Sequence, residues 1–320
     1  MLRGTDLPPE HVVGILMPMR GKATVEKLAV IAVMAGCLPT YFPLVIAIAQ
    51  AMADPALSLS GWQCSVAGFA PMIIVNGPIR REIALNCEGN VLGPYYLPNT
   101  SLARAMFLIT LNIAGIRPGT EDKAYGGHEA RGGVCFGEDE EHSPWEPYHV
   151  SLGYSPKDST VTLVWFQNRS MIKGSGDAVG NMKILCAADD IGFNPGATFI
   201  VSHTFAKTLA QAGFSKQGVL DYVCEYARKP AGEAPLRWLR ANHHLPENVP
   251  LAMDNSFSVR KYWSAKYLHL VVSTNGAMPR GCAMLGGGDH GGPVTAKARL
   301  PKNWDRLLQE YADYADSHYV

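Results

Sequence analysis

The sequence predicts an α/β protein built as two similar-sized lobes, each a buried sheet flanked by helices, with a cleft between them. Three observations carry this expectation. Short continuous apolar runs, such as Met72-Ile73-Ile74-Val75 and Val161-Thr162-Leu163-Val164-Trp165-Phe166, read as strands buried on both faces. Segments with helix caps and stops alternate with those runs. The chain has 320 residues, 47% apolar and 18% charged. That is long enough for one large core or two intimate ones. We read residues 1–23 as a Pro- and Gly-bearing leader, 24–155 as an N-terminal lobe and 156–320 as a C-terminal lobe.

Each element has a local reason. Thr24 is predicted to cap a helix running to Met34, with Gly36 as its stop. Thr40 is expected to cap a second helix, with Pro43 in its first turn and Asp54-Pro55 ending it. The stretch Leu28–Ala53, twenty-six residues without a formal charge, has the apolarity of a membrane span. The turn Gly36-Cys37-Leu38-Pro39 splits it into two helices, each too short for about 30 Å of hydrocarbon, so no membrane partner is expected. A strand over Pro71–Val75 should end in the turn Asn76-Gly77-Pro78. Asn99 is expected to cap a helix from Thr100 to Ala114, stopped by Gly115, before a Gly-rich loop over 117–133.

The second half begins with a strand over Ser159–Phe166. Another strand at Thr198–Val201 follows, then helices over Thr204–Ala212 and Gly218–Ala227, with Ser215-Lys216 between them as a cap. A further strand, Leu268–Val272, runs toward Gly276 and the cluster Gly286–Gly292. That cluster matches neither a dinucleotide nor a phosphate loop and reads as a mobile loop that closes over a site.

Composition excludes several classes. Lys+Arg and Asp+Glu each total 28, so there is no basic excess for a nucleic-acid partner. Zero net charge permits self-association, and a homo-oligomer is expected. The seven cysteines are odd in number, scattered and without a CxxC pair, unlike a secreted disulfide framework. Residues 1–10 lack the apolar core of a signal peptide. A cytoplasmic location follows as the expectation.

Three groups of residues can carry chemistry. Cys37 lies between Gly36 and Pro39, just before a helix, where the macrodipole and free amides favour a thiolate. A buried structural cysteine in an apolar hairpin fits the same residues. The segment Glu138-Asp139-Glu140-Glu141 is either a solvated charge run or the start of a rigid aromatic loop through Trp145 to His149. In the latter case Glu140, Glu141 and His149 supply general acid/base groups or the ligands of a divalent metal. No other cofactor is required by the sequence. Asn76, Arg80 and Arg81 follow a buried strand, where α/β sheets hold ligands, and can grip a carboxylate or phosphate. The polar turn Asn86–Asn90 and Trp145 complete the expected substrate-binding set, with Asn86 and Asn90 as its polar contacts. His203 and His243-His244 read as packing or surface residues, and no GxSxG is present.

With these segments together, the chain resembles a bacterial family labelled UGSC-type (seleno)protein or thioredoxin-like. The resemblance rests on Val33–Pro43 (with Ala35-Gly36-Cys37-Leu38-Pro39), on Ile74–Glu82, on Asn86–Gly93 and on Glu140–His149, and is best over residues 24–165. It implies thiol or selenol chemistry. The family pattern has Glu where this chain has Thr40. The leading expectation is a cysteine-dependent enzyme (thiol redox, lyase or transfer chemistry) acting on a small anionic metabolite between the lobes. Two alternatives stand beside it: a metal-dependent lyase or hydrolase using the Glu/His loop with Cys37 structural, and a non-catalytic partner subunit.

Overall fold

The computed structural model describes residues 1–188, 196–230, 258–274, 278–287 and 291–315. In chain order the first half holds β1 (Val12–Leu16), β2 (Gly21–Thr24), α1 (Val25–Ala35), α2 (Phe42–Ala53), α3 (Leu59–Gln63), β3 (Ala70–Asn76) and α4 (Ile79–Glu82). Then come α5 (Leu97–Asn112), β4 (Val134–Gly137), α6 (Tyr148–Ser151), β5 (Thr160–Phe166), β6 (Asn168–Lys173) and α7 (Ala178–Ala187). The remainder is β7 (Ala197–Val201), α8 (His203–Gln211), α9 (Lys216–Tyr226), β8 (Arg228–Pro230), β9 (Ser258–Arg260) and β10 (Leu268–Val272). Last are β11 (Arg280–Leu285), β12 (Val294–Lys297), α10 (Trp304–Glu310) and α11 (Ala312–Ala315). The mixed α/β class is as the sequence predicts.

Two compact units emerge, and the chain crosses between them more than once. The first comprises Met1–Glu140, Glu146–Trp165 and His290–Val320; the second comprises Glu141–Trp145 and Phe166–Asp289. In the first unit a four-stranded sheet has the order β12-β5-β3-β4. β3 and β4 are parallel, pairing Met72 with Val134 and Val75 with Gly137, while β12 runs antiparallel to β5. Every residue of β3 and of β5 is buried, which is why both read as unbroken apolar runs. Leu28, Ile31, Leu44, Ile48, Leu102 and Ile109 from α1, α2 and α5 share one core with Ile73, Val75 and Leu163 of the sheet.

In the second unit the order is β10-β7-β11-β6, with β10 and β7 parallel and β11 antiparallel to both its neighbours. One face of this sheet (Ile172, Phe199, Val201, Leu270, Ala283) packs with Leu185 of α7, Phe205 and Leu209 of α8 and Val219 and Val223 of α9. The Lys261 ammonium donates to the carbonyls of Cys186, Ala187 and Ala188 at 3.1, 3.5 and 3.4 Å. This places a cation on the C-terminus of α7, where the Tyr262 hydroxyl also donates to Ala188 O at 3.5 Å.

Two of the helix readings need correction. Thr24 does cap α1, accepting from the Lys27 amide, and Gly36 ends it at φ 86°. Thr40, however, caps nothing: it is buried inside a 3-10 turn, Pro39–Tyr41, and α2 begins only at Phe42. Pro39 opens that turn because its fixed φ and missing N–H suit a first helical position. Helix α5 starts at Leu97, two residues before Asn99, so Asn99 is not its cap either. The leader contains a 3-10 turn at Leu2–Gly4 and the β1–β2 hairpin, and Arg3 pairs with Glu310 at 2.7 Å. The strands β6, β11 and β12 and helix α7 carry no clear apolar period in the sequence and appear only in the structure. Gly276, Gly288–His290 and His243-His244 lie outside the described residues.

Among the described residues no single helix is long and apolar enough to cross a membrane. The apolar stretches Pro39–Ala53 and Pro55–Gln63 together reach that length and composition but are bent by 73°.

Two substitutions test the local physics. Gly36→Ala places a side chain in a left-handed conformation with nothing nearby to clash, so it should cost about 1 kcal/mol by urea denaturation from backbone strain alone. Lys261→Met should cost more, about 2 kcal/mol, by removing a partly buried cation from three carbonyls.

Candidate functional site

The C-terminal ends of β3 and β4 lie side by side, and the polar residues that follow them converge there. β3 ends at Asn76. A side chain on Gly77, whose φ is 86°, would run into the Asp158 carbonyl, so the turn requires glycine. The Ile79 amide then donates to Ser159 Oγ at 3.1 Å, bringing the start of β5 to the same end of the sheet. β4 ends at Gly137, and the chain continues as Glu138, Asp139 and Glu140.

These carboxylates are not a solvated run. Glu138 and Asp139 are fully buried, and Glu140 is 12% exposed. Asn76 Nδ2 donates to Glu138 Oε2 at 2.6 Å and to Glu140 Oε1 at 2.9 Å. The Gly77 amide also donates to Glu140 Oε1, at 2.8 Å, and the Tyr148 amide to Glu138 Oε2 at 2.6 Å. Arg80, 2% exposed, donates to Gly77 O at 3.0 Å and to Glu138 O at 2.5 Å, and its Nη2 pairs with Glu140 Oε2 at 2.9 Å. Asn76 and Arg80 therefore do grip a carboxylate, and it is the chain's own Glu140. Burial, reinforced by the Glu138 charge, raises the Tyr148 phenol well above its ordinary range.

His149, on α6, completes the group. Its Nε2 lies 3.1 Å from Ser155 O, and only an N–H can pair with a carbonyl, so that nitrogen carries the proton. In the neutral ring Nδ1 then holds the lone pair. It is buried and makes no hydrogen bond among the described residues, and lies 3.9 Å from Glu140 Oε1.

The other expected site residues are placed elsewhere. Glu141 is exposed and belongs to the second unit. The Trp145 indole donates to Phe214 O at 3.0 Å. Arg81 is exposed and lies 3.6 Å from Asp139 and 3.5 Å from Glu88. Asn90 is exposed with φ 55°, and its carbonyl accepts from the Gly93 amide. Asn86 is structural in its contacts: its amide donates to Asn99 Oδ1 at 2.9 Å, while Asn99 Nδ2 donates to Asn86 O and Cys135 O. With Gly137 N donating to Asn86 O, these bonds satisfy the outer edge of β4. A groove of about 430 Å³ runs along α5 past Arg104, Phe107 and Val134, and none of the expected site residues lines it.

Cys37 sits at the exit of α1 rather than the entrance of α2. Its amide donates to Ala32 O at 2.9 Å, closing the turn through Gly36, and the 3-10 turn separates it from α2. It therefore feels the negative end of a helix dipole. The thiol is buried beside Ser101, and burial pushes it up to about 12, so the electrostatic reason for a thiolate is not met in this conformation. Among the described residues no group of three or more His, Cys, Asp or Glu side chains is arranged to hold a metal ion.

Sequence reasoning did not count Glu138, Asp139 or Asn99 among the site residues. One signal was available: the run Val134-Cys135-Phe136-Gly137 is a short strand, which puts the residues after it at a sheet end rather than on the surface. Comparison of the chain with protein-family models, with curated proteins and with solved structures returns no match.

Two predictions follow from burial. Arg80→Met should cost about 3–5 kcal/mol in urea denaturation, because it strands a partly buried carboxylate, whereas Arg81→Met, whose exposed guanidinium only reaches Asp139 at 3.6 Å, should cost less, about 1 kcal/mol. The thiols of Cys37, Cys135 and Cys282 are all raised by burial from 9.0, to about 12 for Cys37 and about 11 for Cys282. The unfolded chain thus releases protons that the folded chain keeps. Stability should be independent of these groups below about pH 9 and fall above it, by about 1 kcal/mol per thiol for the first pH unit, read as a lower urea midpoint.

Proposed function

We propose that the chain is an enzyme that moves a proton on a small anionic metabolite, with Glu140 and His149 as the proton-handling pair. The observation that carries this reading is the buried His149 Nδ1, which has no hydrogen bond and faces a carboxylate oxygen at a distance too long for one. A proton on that nitrogen would be shared with Glu140, so the pair can accept or return one without creating an isolated buried charge. Asn76 Nδ2, the Gly77 amide and Arg80 form a carboxylate-binding set at strand ends. A substrate carboxylate or phosphate that engages Arg80 would do so by exchange with Glu140, releasing that carboxylate to act as base. In this reading Cys37 is a packed core thiol.

The resemblance to UGSC-type proteins supports a second reading, in which Cys37 is the reacting thiol and substrate binding relieves its burial. A cytoplasmic homo-oligomer is compatible with both. The experiment that separates them is a screen of carboxylate and phosphate metabolites by thermal shift, followed by turnover assays on any that bind. His149→Gln should retain binding and lose turnover by at least about a hundredfold, while Cys37→Ser keeps both. The opposite pattern would overturn the acid–base reading in favour of the thiol. Iodoacetamide labelling provides a check without substrate: modification of Cys37 should be slow and rise about tenfold per unit from about pH 7 to 9, whereas an activated thiolate would react fast and almost independently of pH.

A further inference from the structure

Among the described residues, the second unit's sheet ends in an open edge. β6 is its terminal strand, six residues over Asn168–Lys173 without proline, and about 20 Å long. Two bonds set the alternation of its backbone. The Gly174 amide donates to Pro279 O at 2.8 Å, and the Ser202 amide to Arg280 O at 2.8 Å. With the register Gly281–Ile172 and Ala283–Ser170, residues 168, 170 and 172 turn their N–H and C=O groups toward β11. Those of Arg169, Met171 and Lys173 therefore face outward, and no other described strand lies beyond them.

The side chains along that edge share one sign. Arg169 and Lys173 are exposed on the same pleat as Met171, which is 65% exposed, and Arg280 stands directly opposite Lys173 on β11. Among the described residues none of the three cations makes an ion pair. The nearest acidic residue in sequence, Asp177, is engaged as the cap of α7, accepting from the Gly180 amide and Ser175 Oγ.

An open edge with these charges selects what can join it. A second copy pairing antiparallel about Met171 would set Arg169 against Lys173 twice, and like charges directly opposed across strands are unfavourable. An acidic strand would meet a cation at each position and an apolar side chain between them. We propose that β6 is a docking edge for an extended acidic segment of a partner protein, added as a fifth strand with the pattern acidic–x–apolar–x–acidic. Backbone bonds from the three outward residues give affinity; Arg169, Lys173 and Arg280 give selectivity. This inference is independent of the proposed chemistry at Glu140 and His149.

The test is fluorescence anisotropy of the full chain with a labelled peptide, acetyl-Thr-Asp-Thr-Val-Thr-Asp-Thr-amide. It should bind saturably and weaken with salt. Exchanging its two Asp for Lys, or N-methylating the amides that face β6, should each weaken it by about tenfold or more. R169E/K173E should reverse the preference toward the Lys peptide while leaving the thermal melt unchanged. Absence of saturable binding would overturn the proposal. So would binding insensitive to N-methylation, which would mean charge attraction without strand addition. Self-association of the wild-type chain by light scattering, abolished in R169E/K173E, would also overturn it in favour of a second copy.

Discussion

The buried guanidinium of Arg80 is the interaction on which one end of the first unit depends. It bridges the turn after β3, the backbone after β4 and the carboxylate of Glu140, so two parallel strands leave the sheet at a fixed separation. A charge this deeply buried is tolerable only with its partners in place. Asn76 extends the same logic. Its amide nitrogen serves two carboxylates at once, which forces its oxygen to face away from them. The result is a polar knot inside an otherwise apolar sheet, with Glu138 and Glu140 held by donors rather than by solvent.

That knot changes what the neighbouring side chains can do. Glu140 occupies the donors that an outside anion would use, and His149 is held by Ser155 with its second nitrogen turned to the carboxylate. The geometry suits a site that opens by exchange better than one that stands open. At the outer edge of the same sheet, Asn99 and Asn86 do a quieter job. They supply to β4 the hydrogen bonds that a fifth strand would otherwise provide, so this edge is closed. Among the described residues β6 in the second unit has no such cover, and the contrast between the two edges is why only the latter reads as a place for a partner.

Much of the architecture was legible before the fold. β3, β5, β7 and β10 are buried on both faces or nearly so, and apolar runs of β-branched residues announce that directly. Helix α1 was legible because its cap and stop are local: Thr24 and Gly36 act within a turn of where they stand. Thr40 and Asn99 misled for a common reason. Both are good capping residues by type, but a side chain chooses its partner in three dimensions, and Asn99 found backbone groups of residues 86 and 135 instead. The short strands β6, β11 and β12 carry mixed polar and apolar residues, and only their neighbours make them strands.

The sequence by itself determined the class of fold, the main buried strands, the first helix with both its ends, and the cluster of residue types at Asn76, Arg80, Glu140 and His149. Local sterics and burial act over a few residues, and these features need nothing more. Tertiary structure decided the ionic and chemical character of those residues. It turned an acidic run into a buried network by ending β4 just before it. It put Cys37 at the tail of one helix rather than the head of the next, where burial suppresses ionisation. Charge and reactivity depend on solvent access and on partners sixty or more residues away, and neither is written in local sequence.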